Sequence, residues 1–224
     1  MSFEFDNNRV YLFGKVASNP VFSHEIYGEG FFDINLKVDR LSSQFDLIPV
    51  TISERLIKSN TLTVESDLAI IGQFRSYNKM IDGKSKLLLT VFAREIIPPL
   101  AEQNSNIIEL VGYLCKEPIY RTTPFKREIC DCLIAVNRAY NKSDYLPCIT
   151  WGRNARFVSG LAVGEKLFLT GRIQSRVYQK KLEDDRVEDR MAYEVSVSKV
   201  SCENNIQSLL KHFEKENENK KLAS

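Results

Sequence analysis

Aromatic rings and guanidinium groups at alternating positions are the residues of this sequence best suited to grip a ligand, and they gather between Tyr145 and Lys181. Rings stack on flat heteroaromatic groups, and guanidinium groups hold phosphate oxygens in pairs. In the stretch LFLTGRIQSRVY the two-residue period of a strand sends Leu167, Leu169, Gly171, Ile173 and Val177 to an apolar face. Phe168, Thr170, Arg172, Gln174, Arg176 and Tyr178 fall on the other face. The strand before it, YLPCITW, carries Tyr145 and Trp151 six residues apart, again on one face. Such a surface suits a nucleic-acid strand, and an ordinary half-buried sheet with solvated charges has the same pattern.

Catalytic equipment is sparse by comparison. The chain has two histidines, His24 and His212, and no Gly-rich phosphate loop, so neither catalytic residues nor a cofactor are expected. Its five cysteines (Cys115, Cys130, Cys132, Cys148, Cys202) all lie in the second half. Cys130 and Cys132 have no second pair at finger spacing, so no metal site is expected and all five read as buried structural thiols.

The elements that position the rings belong to an internal repeat. At a constant offset of 98, Gly14 matches Gly112, and Pro20, Asp33, Val38, Arg40, Asp46, Pro49 and Arg55 match Pro118, Asp131, Val136, Arg138, Asp144, Pro147 and Arg153. After one inserted residue Gly72 matches Gly171. The first copy alternates over RVYLFGKV, FFDINLKVDR, a third strand at 46–52, DLAIIGQFRSY and KLLLTVFAREI, with ISERLIKSN as one or two helical turns. An Asp82-Gly83 turn joins its last two strands. The second copy places strands near 107–114, 128–138, 145–151, 166–178 and 191–200, with Cys130, Cys132, Ile134 and Val136 facing inward. Five strands with a helix between the third and fourth is the order of an OB-fold. The expected protein is all-β, with two tandem five-stranded OB-fold barrels at 1–100 and 104–203. A short C-terminal α-helix at 204–224 follows, where Ile206, Leu209, Leu210 and Phe213 form an apolar stripe. The loop QKKLEDDRVEDR reads as a solvated, acidic hairpin tip.

The second copy resembles the bacterial single-stranded-DNA-binding proteins over roughly 106–203, through an aromatic strand, the run WGRNA and the spacing G-x-x-x-x-R-x-Y formed by Gly171, Arg176 and Tyr178. That resemblance implies base stacking at Tyr140, Tyr145, Trp151 and Tyr178, and a basic position at Arg176. Arg153 and Arg172 are further arms for phosphate, although Arg55 shares the Arg153 position and suggests a role in the fold. The resemblance also implies assembly to four OB-folds, which for a two-copy chain means a homodimer. The family's acidic, partner-recruiting tail tip is absent from ENKKLAS.

In the first copy the four stacking positions hold Ser42, Leu47, Ser53 and Lys79. This copy therefore reads as a packing or dimer-forming module, with a weaker second binding site through Phe31, Phe45 or Tyr77 as the other possibility. Charge agrees: residues 1–103 carry 11 basic and 13 acidic side chains, against 16 and 13 in 104–203. With no run of 18 apolar residues and no signal pattern, a cytoplasmic protein away from membranes is expected. The sequence thus points to non-catalytic binding of single-stranded DNA in replication, recombination or repair. A primosome-like protein-interaction adaptor and a single-stranded RNA binder are the alternatives.

Overall fold

A computed structural model of the chain describes residues 7–60, 62–81, 83–100, 105–181 and 187–202. The first repeat contains β1 (Asn8–Val16), β2 (Val21–Ile26), β3 (Glu29–Asp39), β4 (Phe45–Ser53), α1 (Glu54–Lys58), β5 (Asp67–Ile81) and β6 (Lys84–Ile97). The second repeats that series with β7 (Asn106–Leu114), β8 (Ile119–Thr122), β9 (Glu128–Arg138), β10 (Lys142–Trp151), α2 (Arg153–Ser159), β11 (Lys166–Lys181) and β12 (Val187–Cys202).

All twelve strands join one sheet in the order β2-β3-β4-β6-β5-β1-β7-β11-β12-β10-β9-β8. Each half curls until its first strand meets its third: Lys15 and Val16 pair with Lys37 and Leu36, and Tyr113 and Leu114 pair with Ala135 and Ile134. Backbones come so close there that a Cβ at Gly14 or Gly112 would meet the carbonyl oxygen of Lys37 or Ala135. That contact explains the first matched glycine pair. The second pair marks a bulge at the same place in each barrel, between Ile71 and Gly72 and between Thr170 and Gly171. Inside, Val10, Leu12, Ile34, Leu36, Ile70 and Phe74 fill the first core. Ile108, Leu110, Ile134, Leu146, Leu169 and Ile173 fill the second, with Cys130, Cys132 and Cys148 among them.

Antiparallel pairing of β1 with β7 joins the barrels, with Val10 opposite Ile108. These two residues stand at the repeat offset, so equivalent residues face each other about a local two-fold axis, as in a symmetric dimer interface. Two further sets of bonds obey the same axis. Asp46 Oδ1 accepts from the Ser175 N–H at 2.7 Å, and Asp144 Oδ1 accepts from the Ser76 N–H at 2.7 Å. The Leu47 and Tyr145 amides donate back to the Ser175 and Ser76 hydroxyls.

The five expected strands of each barrel are present in OB-fold order, and each repeat has a sixth. β2 and β8 pair with β3 and β9 at the two ends of the sheet. Exposure on both faces removed the alternation that would have announced them. Val177, expected in the core, is 58% exposed. It lies where β11 and β12 run on beyond the pairing of β11 with β7 as a two-stranded arm, past the reach of the barrel core. The apolar stripe at 206–213 and part of the acidic loop (182–186) lie outside the described residues.

Candidate nucleic-acid interface

β10 presents Tyr145 and Trp151 outward because its alternate residues, Asp144, Leu146, Cys148 and Thr150, are drawn into the barrel. Trp151 is 38% exposed, and its indole Nε1–H donates to Ser196 Oγ on β12 at 3.2 Å. Ser196 in turn pairs with Arg172 on β11. A row therefore crosses three strands, from Trp151 through Ser196 to Arg172. A second row runs from Tyr145 through Ala135 to Tyr113, whose exposed ring shares the face of Tyr145. Tyr113 was missed by the spacing argument, although its outward place beside Gly112 could have signalled it.

Tyr140 sits at the tip of the β9–β10 hairpin with its ring almost wholly exposed. It and Asn141 both take left-handed backbone angles, φ 60° and 54°. Tyr178 stands apart, out on the β11–β12 arm opposite Arg190. There it lines a cleft of about 560 Å³ with Met191 and Tyr193, faced by Tyr77, Leu87 and Leu89 of the first repeat. The structure thus brings Tyr145, Trp151 and Arg172 onto one sheet, and sets Tyr140 and Tyr178 at its two extremities.

The three arginines have different surroundings. Arg172 Nη1 donates to Asp46 Oδ2 at 2.8 Å and Nη2 to Gln174 Oε1 at 3.0 Å. Its guanidinium is engaged across the repeat junction, contrary to the expectation of an arm offered to phosphate. The cause is a carboxylate from β4, brought to β11 by the packing of one barrel on the other. Arg176 is exposed and 3.7 Å from Glu194. Arg153 is exposed at the start of α2. Among the thiols, burial pushes Cys130 up to about 11, and the hydrogen bond with Cys132, together with burial, holds Cys148 well above its ordinary value. Both stay protonated and unreactive at neutral pH.

The first repeat departs from this plan where Trp151 would stand. Ser53 occupies that place and caps α1, its Oγ accepting from the Leu56 N–H at 3.4 Å. α2 starts from Gly152 with no side-chain cap, which leaves the preceding residue free to carry a ring.

Comparison with known proteins sharpens the picture. Residues 105–202 match the single-strand binding protein family. Single-stranded DNA-binding protein 1 of Staphylococcus aureus (strain COL) is 36% identical over 81 residues, spanning 33% of this chain and 48% of that protein. Single-stranded DNA-binding protein A of Bacillus subtilis (strain 168) is 35% identical over 81 residues, spanning 33% of this chain and 47% of that protein. The chain thus spans about half the length of the curated relatives it matches. The wild-type single-stranded DNA binding protein from Thermus aquaticus superposes over 87% of this chain and 92% of its own, with a TM-score of 0.68 at 21% identity. That likeness is one of fold, and it extends over both barrels. The match to the single-strand binding protein family thus falls on the second repeat, the one that carries Tyr145 and Trp151.

Proposed function

We propose that this chain binds single-stranded DNA by stacking bases on the outer face of its second barrel, without a catalytic step, in replication, recombination or repair. The observation that carries the reading is the pair of exposed rings, Tyr145 and Trp151, held outward by a strand whose other face is buried. They lie inside the stretch that matches the family. A ring fixed by a sheet loses little freedom when a base settles on it, and each such stack is worth about 1–3 kcal/mol. Tyr140 extends the platform at the hairpin tip, Tyr178 receives a base at the mouth of the cleft, and Arg176 and Arg153 hold phosphates. Arg172 fixes the sheet beneath Trp151. The partner is DNA, held by a homodimer that presents four barrels; the exposed apolar edges of β2 (Val21, Phe22) and β8 (Ile119, Tyr120) support a second copy.

Trp151 is the only tryptophan, so its emission tests the reading directly. Oligo-dT is expected to quench it and to shift the protein in a gel, with matched duplex doing little. Binding with unchanged emission would remove Trp151 from the site, and oligo-U bound as tightly as oligo-dT would make RNA the partner. Failure to bind any strand would favour the adaptor role. Sedimentation at micromolar concentration is expected to give twice the chain mass.

A further inference from the structure

The strand registers allow the two barrels to be compared place by place. β4 and β10 match at the offset of 98, which makes Ser53 the equivalent of Trp151 and Thr51 that of Ile149. On the last strands Gly72 pairs with Ala93 and Gly171 with Val197, so Phe92 is the equivalent of Ser196. Thr51 pairs with Phe92 and Ile149 with Ser196, which confirms the match. The large and small residues have exchanged strands. The second barrel has its ring on β10 over a serine on β12, and the first has its serine on β4 beside a ring on β6. The exchange leaves the Ser53 hydroxyl free to cap α1 while an aromatic group occupies the same patch of sheet.

Other rings gather around Phe92. Phe31, which replaces the Ile129 of the second barrel, lies 5.6 Å from Phe92 between ring centroids. His24 stacks on Phe31 at 5.0 Å with 12° between the planes, and is itself exposed. The Arg75 guanidinium lies over Phe92, 4.2 Å from its centroid. A guanidinium backed by a ring presents a flat cationic face on which a base stacks. Arg94, two residues along β6 and on the same outward side, is exposed. Repeat-for-repeat, the glutamate at 194 is matched by Thr90, so this patch also lacks the carboxylate that flanks Arg176.

We infer that the first barrel carries a base-stacking platform of its own, made by Phe92 and His24 over the buried ring of Phe31, with Arg75 and Arg94, which takes a second segment of the same DNA strand. The inference rests on the proposed binding of single-stranded DNA and adds a site for it. The test moves the only fluorophore: in the full chain, Trp151→Phe combined with Phe92→Trp makes emission report on the first barrel. Oligo-dT is expected to quench it. His24→Ala, an exposed change, serves in parallel with Trp151 kept; it is expected to weaken oligo-dT binding about tenfold, the loss of one stack. Quenching of Trp151 at saturation stays as in the unmodified chain. If the double variant shifts oligo-dT with its emission unchanged, or if His24→Ala binds as the unmodified chain does, the first-barrel platform is overturned while the second-barrel reading stands. An unmodified chain that fails to bind oligo-dT overturns both.

Discussion

Removing the charge of Asp46 is expected to cost far more than removing the charge of its symmetry mate, Asp144. Asp46 is 1% exposed. Arg40 donates to it through Nε at 2.9 Å and Nη2 at 2.6 Å, Arg172 through Nη1 at 2.8 Å, and the Ser175 amide at 2.7 Å. In Asp46→Asn the amide oxygen still accepts from Ser175, but two guanidinium groups lose their counter-charge at the repeat junction. Breaking a buried pair costs about 3–5 kcal/mol. Arg172 is 37% exposed in its side chain and Arg40 24%, so solvent recovers part of that loss and the lower end, about 3 kcal/mol, applies. Asp144 is equally buried, yet Arg138 approaches it only to 3.3 Å, and the place of Arg172 is taken by Gln73. Asp144→Asn keeps the Ser76 bond and is expected to cost about 1 kcal/mol or less. Urea denaturation of the three proteins at pH 7 measures the contrast. Two substitutions within about 1 kcal/mol of each other would refute the assignment of Asp46 as the charged lock between barrels.

Alternation along the chain made ten of the twelve strands legible, because each has one face in a barrel and one in solvent. It failed at VFSHEI and IYRT, where both faces are exposed. It failed again at Val177, where a strand with a correct period outruns the core that gives the period meaning. The outward rings Tyr145 and Trp151 were readable for the same reason as the core. The fate of Arg172 was not: its carboxylate partner is 126 residues away, and only the packing of two barrels sets that distance to a hydrogen bond. The first barrel misled the sequence argument in a different way. Aligned columns compare residues on the same strand, and there Ser53 stands for Trp151. A sheet face compares neighbours across strands, and there Phe92 restores the ring.

Two further outcomes follow from the buried ionisable groups. Native alkylation at pH 8 followed by mass spectrometry is expected to label Cys115 first, since it is only partly buried whereas Cys130, Cys132, Cys148 and Cys202 lie in the core; labelling of Cys148 at an equal rate would mean that the second barrel opens readily. The other concerns Asp144, whose carboxyl burial holds above its ordinary value, against the pull of the Ser76 amide and of Arg138. A raised carboxyl binds its proton more tightly in the folded state than in the unfolded one. Below the ordinary carboxylate range both states are protonated and the group imposes no penalty. As pH rises through that range the unfolded chain ionises first, and stability falls until the folded carboxyl has ionised too. Asp144→Asn has no such proton to lose. The difference between variant and parent, taken at each pH so that all other carboxylates cancel, is therefore expected to move in favour of Asn as pH rises through and above the ordinary carboxylate range. Urea midpoints at four or five pH values measure it. A parent that gains on the variant as pH rises would show that Arg138 and the Ser76 amide outweigh burial, and that both junction carboxylates are locks of the same kind.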